Sequence, residues 1–395
     1  MRLGTGLKCT LAAIFVLVVV PQFATADTTA SPANRQSAKA SDKTSQGEIP
    51  KMSDREKAGL RGPVESCTVE NTTPAGPSTH AWRMVTMTKY DPNGRAYENG
   101  YINNDGAKGV QSLTYDSEGH LLRAAWNTQA GERSTIYSYD SQGRVTSIAG
   151  EGDWTTTFEY DDQGRKTRIV KSARKASGGT QGYGVSLDSG DLFVVPPAGG
   201  MVKTSYNERD QAVESRVYTS NGELMSRLNR AYDAKGLVSE SSYVIENVGL
   251  MLSPETRERA AAEPGAAEEL ARPMVMVRIS YGYDDRNRVA EKHEHRGFAR
   301  ETVTKITYND SGDEMEEIST ATGHLNPPEN EEGGGGDAPS GARRPRPLPD
   351  EHNELHFDYQ YDSFGNWVEK VVSSPSGTTE ATKTWSITRR TITYY

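Results

Sequence analysis

From about residue 84 to residue 372 the chain alternates. Apolar, aromatic or β-branched positions recur every second residue, and clusters of Asp, Asn and Gly interrupt them at short intervals. A period of two places alternate side chains on one face of an extended strand, so the pattern predicts strands rather than helices. Nine interruptions carry a Tyr followed by Asp or Asn: Tyr90-Asp91, Tyr115-Asp116, Tyr139-Asp140, Tyr160-Asp161, Tyr206-Asn207, Tyr232-Asp233, Tyr283-Asp284, Tyr308-Asn309 and Tyr361-Asp362. Successive Tyr lie 25, 24, 21, 46, 26, 51, 25 and 53 residues apart. The unit is therefore about 24 residues long, and each of the three long gaps is expected to hold a degenerate or interrupted unit.

The position four after each Tyr sharpens the reading. It holds Gly94, Gly119, Gly143, Gly164, Asp210, Gly236, Asn287, Gly312 and Gly365. Gly, Asn and Asp are the residues that tolerate positive φ, so each unit predicts a hairpin turn closed by a left-handed residue. The acidic or amide side chain after the Tyr caps the backbone N–H groups ahead of it. Arg95, Arg144, Arg165 and Arg288 directly follow the left-handed residue, where they reach that side chain. Before the turns, Leu113, Thr135 and Tyr137, Thr156 and Phe158, Ile279 and Tyr281, Thr304 and Ile306, and Phe357 and Tyr359 share the face of the anchoring Tyr. Six after the Tyr, the residue is apolar at Leu121, Val145, Val238, Val289 and Trp367 but charged at Lys166 and Glu314.

The fold class predicted is all-β: consecutive antiparallel hairpins forming one large curled sheet. Closure into a wide barrel or a short spiral shell is left open. Nine hairpins imply on the order of eighteen strands, more than an open twisted sheet carries without curling. Growth by added strands leaves two edges, which the segment Leu60–Val64 and the last strand are placed to cover.

Tyr115-Asp116-Ser117-Glu118-Gly119, Tyr139-Asp140-Ser141-Gln142-Gly143-Arg144 and Tyr160-Asp161-Asp162-Gln163-Gly164-Arg165 resemble the YD repeat of the bacterial Rhs and wall-associated proteins. The units Tyr232, Asp233, Gly236 and Tyr361, Asp362, Gly365 follow the same pattern, and the resemblance extends over roughly residues 84–372. It implies stacked β-hairpins, which in large members spiral into a hollow shell around a toxin, and surface roles in exported proteins. Neither an aspartyl-protease-like core motif nor a toxin domain is recognisable after the repeats.

Residues 1–26 are read as a secretory signal peptide. Arg2 and Lys8 precede an apolar run from Leu11 to Val20, then comes Ala24-Thr25-Ala26 as a small-x-small cleavage site. The mature chain is expected to be exported, to the periplasm, the cell surface or the exterior, with no integral membrane span. Residues 27–57, rich in Ser, Ala, Thr and Lys, are expected to be a disordered linker, and 58–395 the repeat domain. Within that domain, 253–271 predicts a helical insertion with Ser253 as N-cap and Pro254 at the first helical position. The Pro- and Gly-rich stretch 324–353 predicts a disordered loop.

Composition narrows the function. The formal charge of −9 becomes −11 once Arg2 and Lys8 leave with the signal, so nucleic acid is excluded as a partner of the whole molecule. Tyr outnumbers Phe by 19 to 7, which suits half-exposed sheet faces better than thick dry cores. Cys67 is alone once Cys9 leaves with the signal, and reads as a half-buried small residue. His352 and His356 are four apart, but they border the Pro/Gly loop and lead into a strand; His293 and His295 fall on one face of a strand. Both pairs read as surface histidines, so no metal and no cofactor is expected. Trp126, Trp154 and Trp367 are candidates for stacking on sugar rings, with core filler as the competing reading, and Arg343 and Arg344 form a candidate cationic binding patch. Glu151, Asp153, Glu314, Glu316 and Glu317 are the carboxylates not assigned to turns, and no pattern pairs them for hydrolysis.

The function expected is therefore a non-catalytic, exported or envelope-associated binding and structural module for carbohydrate or a cell-surface protein. The alternatives are a shortened Rhs-like shell in toxin delivery or protection, and a secreted glycan-degrading hydrolase with paired carboxylates.

Overall fold

A computed structural model describes residues 52–75, 80–150, 154–172, 185–186, 193–252, 254–262, 265–297, 300–323, 350–375 and 382–395. Twenty strands form one antiparallel sheet in which each strand pairs with its neighbours in the chain. The last strand, Thr382–Tyr394, returns to pair with the first, Val64–Thr73, from Val64 opposite Tyr394 to Thr72 opposite Ile387. The sheet is thus a closed up-and-down barrel, and the spiral alternative falls away. Closure also removes the two edges that the sequence left to be covered: the terminal strands satisfy each other's backbone groups.

The predicted hairpins occur at all nine sites. Each shows a register shift at the Tyr, for example between Ser138 and Tyr139 or between Glu159 and Tyr160, the mark of an extra residue on one strand. The left-handed residue that permits this is in place throughout: φ runs from +60° at Asp210 to +93° at Gly312. In a typical turn the Gly143 N–H donates to the Asp140 carbonyl (3.0 Å) and the Asp140 N–H to the Arg144 carbonyl (3.0 Å). Because the sheet is a meander, all nine turns fall on one rim, and the other rim carries every long connection.

The first two long gaps hold interrupted units, one of the two expected forms: an insertion at that second rim parts the two strands of the unit, and in the third gap 324–349 lie outside the described residues. The gap after Tyr160 contains a short hairpin, Val185–Ser186 with Phe193–Val194, outside the barrel sheet. The gap after Tyr232 contains the expected helical insertion in two pieces, Pro254–Ala261 and Ala266–Leu270, rather than one. Gly265, at φ +79°, precedes the second piece. The expected N-cap, Ser253, lies outside the described residues. So do 324–349 of the expected loop, but its end is strand: Glu351–Tyr361 begins before the predicted boundary. At the other terminus, Asp54–Lys57 is a helical turn rather than part of a disordered linker. Ser53 caps it and receives the Glu56 side chain in return. Residues 1–51 lie outside the described residues.

Burial is concentrated on the sheet face that bears the turn Tyr. One cluster joins Val202, Val217, Leu228, Tyr243 and Ile245 to Val248, Leu252, Ala260 and Leu270 of the insertion, so the helices cover that face. The other joins Leu60 and Val64 to Cys67, Val69, Tyr90 and Ala96 beside the closing pair of strands. The opposite face is laced by cross-strand ion pairs such as Lys89–Glu98, Arg123–Glu132 and Arg389–Glu369.

Candidate functional site

The turn residues assemble a continuous girdle. At Asp140, Oδ1 accepts the N–H groups of Gln142 (2.9 Å) and Arg144 (3.0 Å), and Oδ2 accepts Arg144 Nε (2.7 Å). Asp161 with Arg165 and Asp284 with Arg288 repeat the arrangement, each with an Nε contact of 2.7 Å. The guanidinium then lies over the Tyr of the following unit: Arg144 over Tyr160 at 4.7 Å, Arg165 over Tyr206 at 5.1 Å and Arg288 over Tyr308 at 4.3 Å. That Tyr donates its hydroxyl back to the first strand residue after the previous turn. Tyr139 reaches the Leu121 carbonyl, Tyr160 the Val145 carbonyl and Tyr232 the Ala212 carbonyl, each at 2.8 Å.

This backbone acceptor explains why the position six after the Tyr tolerates a charge. Lys166 offers its carbonyl to Tyr206 at 2.7 Å, while its ammonium lies over the Phe158 ring at 4.9 Å. At the other exception, Tyr361 donates to the Asp313 carboxylate instead, also at 2.7 Å. His120, directly after Gly119, occupies the position that Arg holds in other units. It holds Asp116 Oδ2 at 2.9 Å and stacks on Tyr139 with ring centres 4.8 Å apart. At the closing pair, where no turn exists, other groups complete the ring. Arg61 N–H donates to Asn366 Oδ1 at 2.7 Å, the Tyr394 hydroxyl donates to Asp362, and the Tyr395 hydroxyl donates to the Tyr90 carbonyl.

Titration follows the packing. Burial, the largest influence, pushes the phenols of Tyr90, Tyr283, Tyr308 and Tyr361 up to about 12. The Arg144 N–H holds the Asp140 carboxyl below its ordinary range, partial burial opposes it, and the Arg144 side chain reinforces it. Asp116 is lowered in the same way by the His120 N–H. Burial raises the Cys67 thiol.

The side chains proposed for binding do not converge. Trp126 packs against Tyr101 with ring centres 5.7 Å apart. Trp154 lies over Gly150, where a Cβ would stand 2.3 Å from its ring. Trp367 is sandwiched between Tyr359 and Arg390, at 6.4 and 3.4 Å. These three strands are not neighbours in the sheet, so the rings form no row. Arg343, Arg344, Glu151 and Asp153 lie outside the described residues. Glu316 and Glu317, adjacent on one strand, point to opposite faces, and Glu314 sits in the register shift opposite Tyr308. A depression of about 490 Å³ opens on the turn rim between Asn207 and Asp233, where Gln211 stands in the usual Arg position.

The family described as RHS Repeat matches residues 115–152 and 139–176, the stretch in which the girdle is most regular. Residues 115–176 are similar to RHS repeats. No curated protein matches the chain as a relative. Among solved structures, a porin-like protein from Bacteroides uniformis aligns over 84% of this chain and 98% of its own, at 8% identity and a TM-score of 0.32. The TcdB2-TccC3-Cdc42 crystal structure aligns over 80% of this chain at 11% identity and a TM-score of 0.22. The Tc holotoxin pore of Photorhabdus luminescens aligns over 80% at 12% and 0.22. The chain spans only 18% of each of these two toxin chains. The RHS match, not these distant likenesses, identifies the repeats, and the units at Tyr90, Tyr206, Tyr232, Tyr283, Tyr308 and Tyr361 share their turn geometry.

Proposed function

We propose that the chain is a non-catalytic, exported scaffold whose RHS-repeat barrel holds one rim fixed and presents the connections of the other rim to a protein partner. The observation that carries this reading is the asymmetry of the rims. On the turn rim five residues separate each pair of strands, and the repeated chemistry of Tyr, Asp and Arg is consumed in stitching neighbours together. The strands that flank 172–200, 246–273 and 324–350 end at the other rim, and those connections are long enough to carry contacts of their own. A rigid frame bearing variable loops is a common way of building a binding surface.

A protein partner fits better than a sugar, because stacking on sugars needs ring faces in a row and the Trp side chains are separately engaged. Export is supported by the basic start, the apolar run and the small-x-small site within residues 1–26. The barrel is read as working in water. No helix among the described residues is long and apolar enough to cross a membrane. Both sheet faces also carry charges within the strands, as in Glu159–Arg168 on one and Lys370 over Phe357 on the other. A charge facing lipid at mid-membrane costs about 2–4 kcal/mol.

The test is cross-linking mass spectrometry on the chain beginning at residue 27, applied to the exterior of the producing cell, beside a glycan array and a glycan turnover screen. Cross-links confined to the long-connection rim, and lost on deletion of 327–347 with the unfolding midpoint unchanged, support the proposal. Glycan turnover, or glycan binding that survives the deletion, overturns it.

A further inference from the structure

Four of the chain's seven histidines share one sheet face in a patch of four adjacent strands. His352 and His356 alternate with Glu354 on the strand Glu351–Tyr361; across from them, Thr320 faces His352, Ile318 faces Glu354 and Glu316 faces His356. Beyond Thr320 the same row reaches Val303 and then His293, with His295 opposite Glu301 beside it. At sequence level the spacing of His352 and His356 pointed away from a metal because it suits a helix. On a strand the same spacing also keeps both side chains on one face, and it puts Glu354 between them.

From this arrangement we infer a divalent transition-metal site formed by His356, Glu354 and Glu316. One donor atom from each lies within 4.8 Å of the other two. His356 Nε2 is 2.8 Å from Glu354 Oε1, and His356 Nδ1 is 3.8 Å from Glu316 Oε1. His352 Nε2, 3.9 Å from the second Glu354 oxygen, supplies a further nitrogen beside the same carboxylate. Tetrahedral donors at about 2.1 Å from a zinc ion stand roughly 3.4 Å apart. Side-chain rotation alone closes the cluster to that size, because all three residues sit on two paired strands. One imidazole with two carboxylates suits zinc and its neighbours better than calcium or magnesium, which prefer oxygen-only shells.

Charge makes the same case independently of distance. Several glutamates on this face are held by a permanent cation, as in Glu98 with Lys89, Glu159 with Arg168 and Glu369 with Arg389, whereas Glu291 and Glu301 pair singly with His293 and His295. Among the described residues, Glu316 and Glu354 have ion-pair partners only in histidines. Lys305 shares the face but stands opposite Ile318, one strand away from Glu354. Two carboxylates this close, each about a third exposed, repel unless a cation lies between them. The second His/carboxylate group, Asp116, Glu118 and His120, differs because its His and Asp belong to the girdle, and it serves as a control.

The experiment is calorimetric titration of zinc chloride into the untagged chain beginning at residue 27, in a non-chelating buffer. One ion per chain is expected. His356→Ala and Glu354→Gln should each weaken binding by about tenfold or more, while His120→Ala and His293→Ala leave it unchanged. Absence of saturable binding, or the same affinity in H356A and E354Q, overturns the site, as does loss of binding in H120A. A second measurement needs no variant: diethylpyrocarbonate labelling of the wild-type chain, read by mass spectrometry. Zinc should protect His356 but not His293; equal labelling of His356 with and without zinc refutes the assignment.

Discussion

Replacing Tyr308 by Phe tests the girdle at a point where one atom does the stitching. The Tyr308 hydroxyl donates to the Val289 carbonyl at 2.7 Å, and Val289 is buried. The ring stays beneath the Arg288 guanidinium at 4.3 Å in either residue, so the substitution removes the hydrogen bond and little packing. A net hydrogen bond of this kind is worth about 1 kcal/mol, and that is the loss expected at pH 8. The same hydroxyl fixes the alkaline behaviour. Its folded value of about 12 exceeds the ordinary phenol value near 10, so the folded state favours the protonated form. That contribution is complete below pH 10 and is lost as pH rises through 12. A two-decade difference corresponds to about 2.7 kcal/mol if fully realised; the phenol is only half-buried, and solvent screening reduces it to about 1 kcal/mol. Urea unfolding followed by Trp fluorescence at pH 8 and pH 11 measures both parts. Tyr308→Phe should have the lower midpoint at pH 8 and a smaller deficit at pH 11, which lies midway through that loss. An unchanged midpoint at pH 8 would refute the girdle as a stabilising element. A gap that stays constant to pH 11 would refute the account of its titration.

The left-handed positions give a second test. Gly312 has φ +93° and open space where a Cβ would go, so Gly312→Ala isolates backbone strain and should cost about 1–2 kcal/mol by urea unfolding. Asn287→Gly, at φ +62°, should be neutral or slightly stabilising in the same assay. Barrel closure predicts a new cross-link: Cys67 pairs directly with Ile392, and direct antiparallel partners stand about 4.5–5.5 Å apart, within disulfide range. Ile392→Cys should therefore oxidise to an intramolecular disulfide, seen as a loss of two thiols by mass spectrometry, and a sheet left open at the ends would leave both thiols free. In acid the turns fail first. Asp116 and Asp140 titrate below the ordinary carboxylate range in the folded chain, so their stabilising contribution is present above the unfolded value and lost as pH falls through the folded one. Asp140→Asn should accordingly flatten the loss of stability between neutral pH and pH 2, measured by urea midpoints.

The parts of the fold legible in the sequence are those governed by nearest neighbours in the chain. A left-handed residue four after a Tyr, and an Asp with N–H groups just ahead of it, are local geometry, so all nine turns could be placed from spacing alone. Arg144 reaching Asp140 was legible for the same reason. Arg144 lying on Tyr160 was not, because that contact joins two hairpins and depends on register. Closure was beyond local pattern too: nothing in Thr382–Tyr394 marks it as the partner of Val64–Thr73 rather than an edge. Composition misled at the margins. A Pro- and Gly-rich stretch hid the start of the strand carrying His352 and His356, so their relation to Glu316 was invisible, and a Ser- and Lys-rich stretch hid a helical turn. In the latter case a signal existed, since Ser53 and Glu56 are spaced as a capping box.

Closure also changes how the repeats share their stability. In an open array of RHS repeats each end lacks one neighbour, and terminal units need caps. Here the unit at Tyr90 receives the Tyr395 hydroxyl, and the unit at Asp362 receives Tyr394, so the first and last turns have neighbours on both sides. The closing contacts are chemically unlike the rest: they use Arg61, Asn366 and two terminal tyrosines in place of the repeated Arg and Tyr. Such a junction fixes where the ring closes, because a hairpin added or lost elsewhere would leave these partners out of register with one another. The number of strands is therefore specified at one place in the ring, and the remaining units are free to differ in the connections they send to the opposite rim.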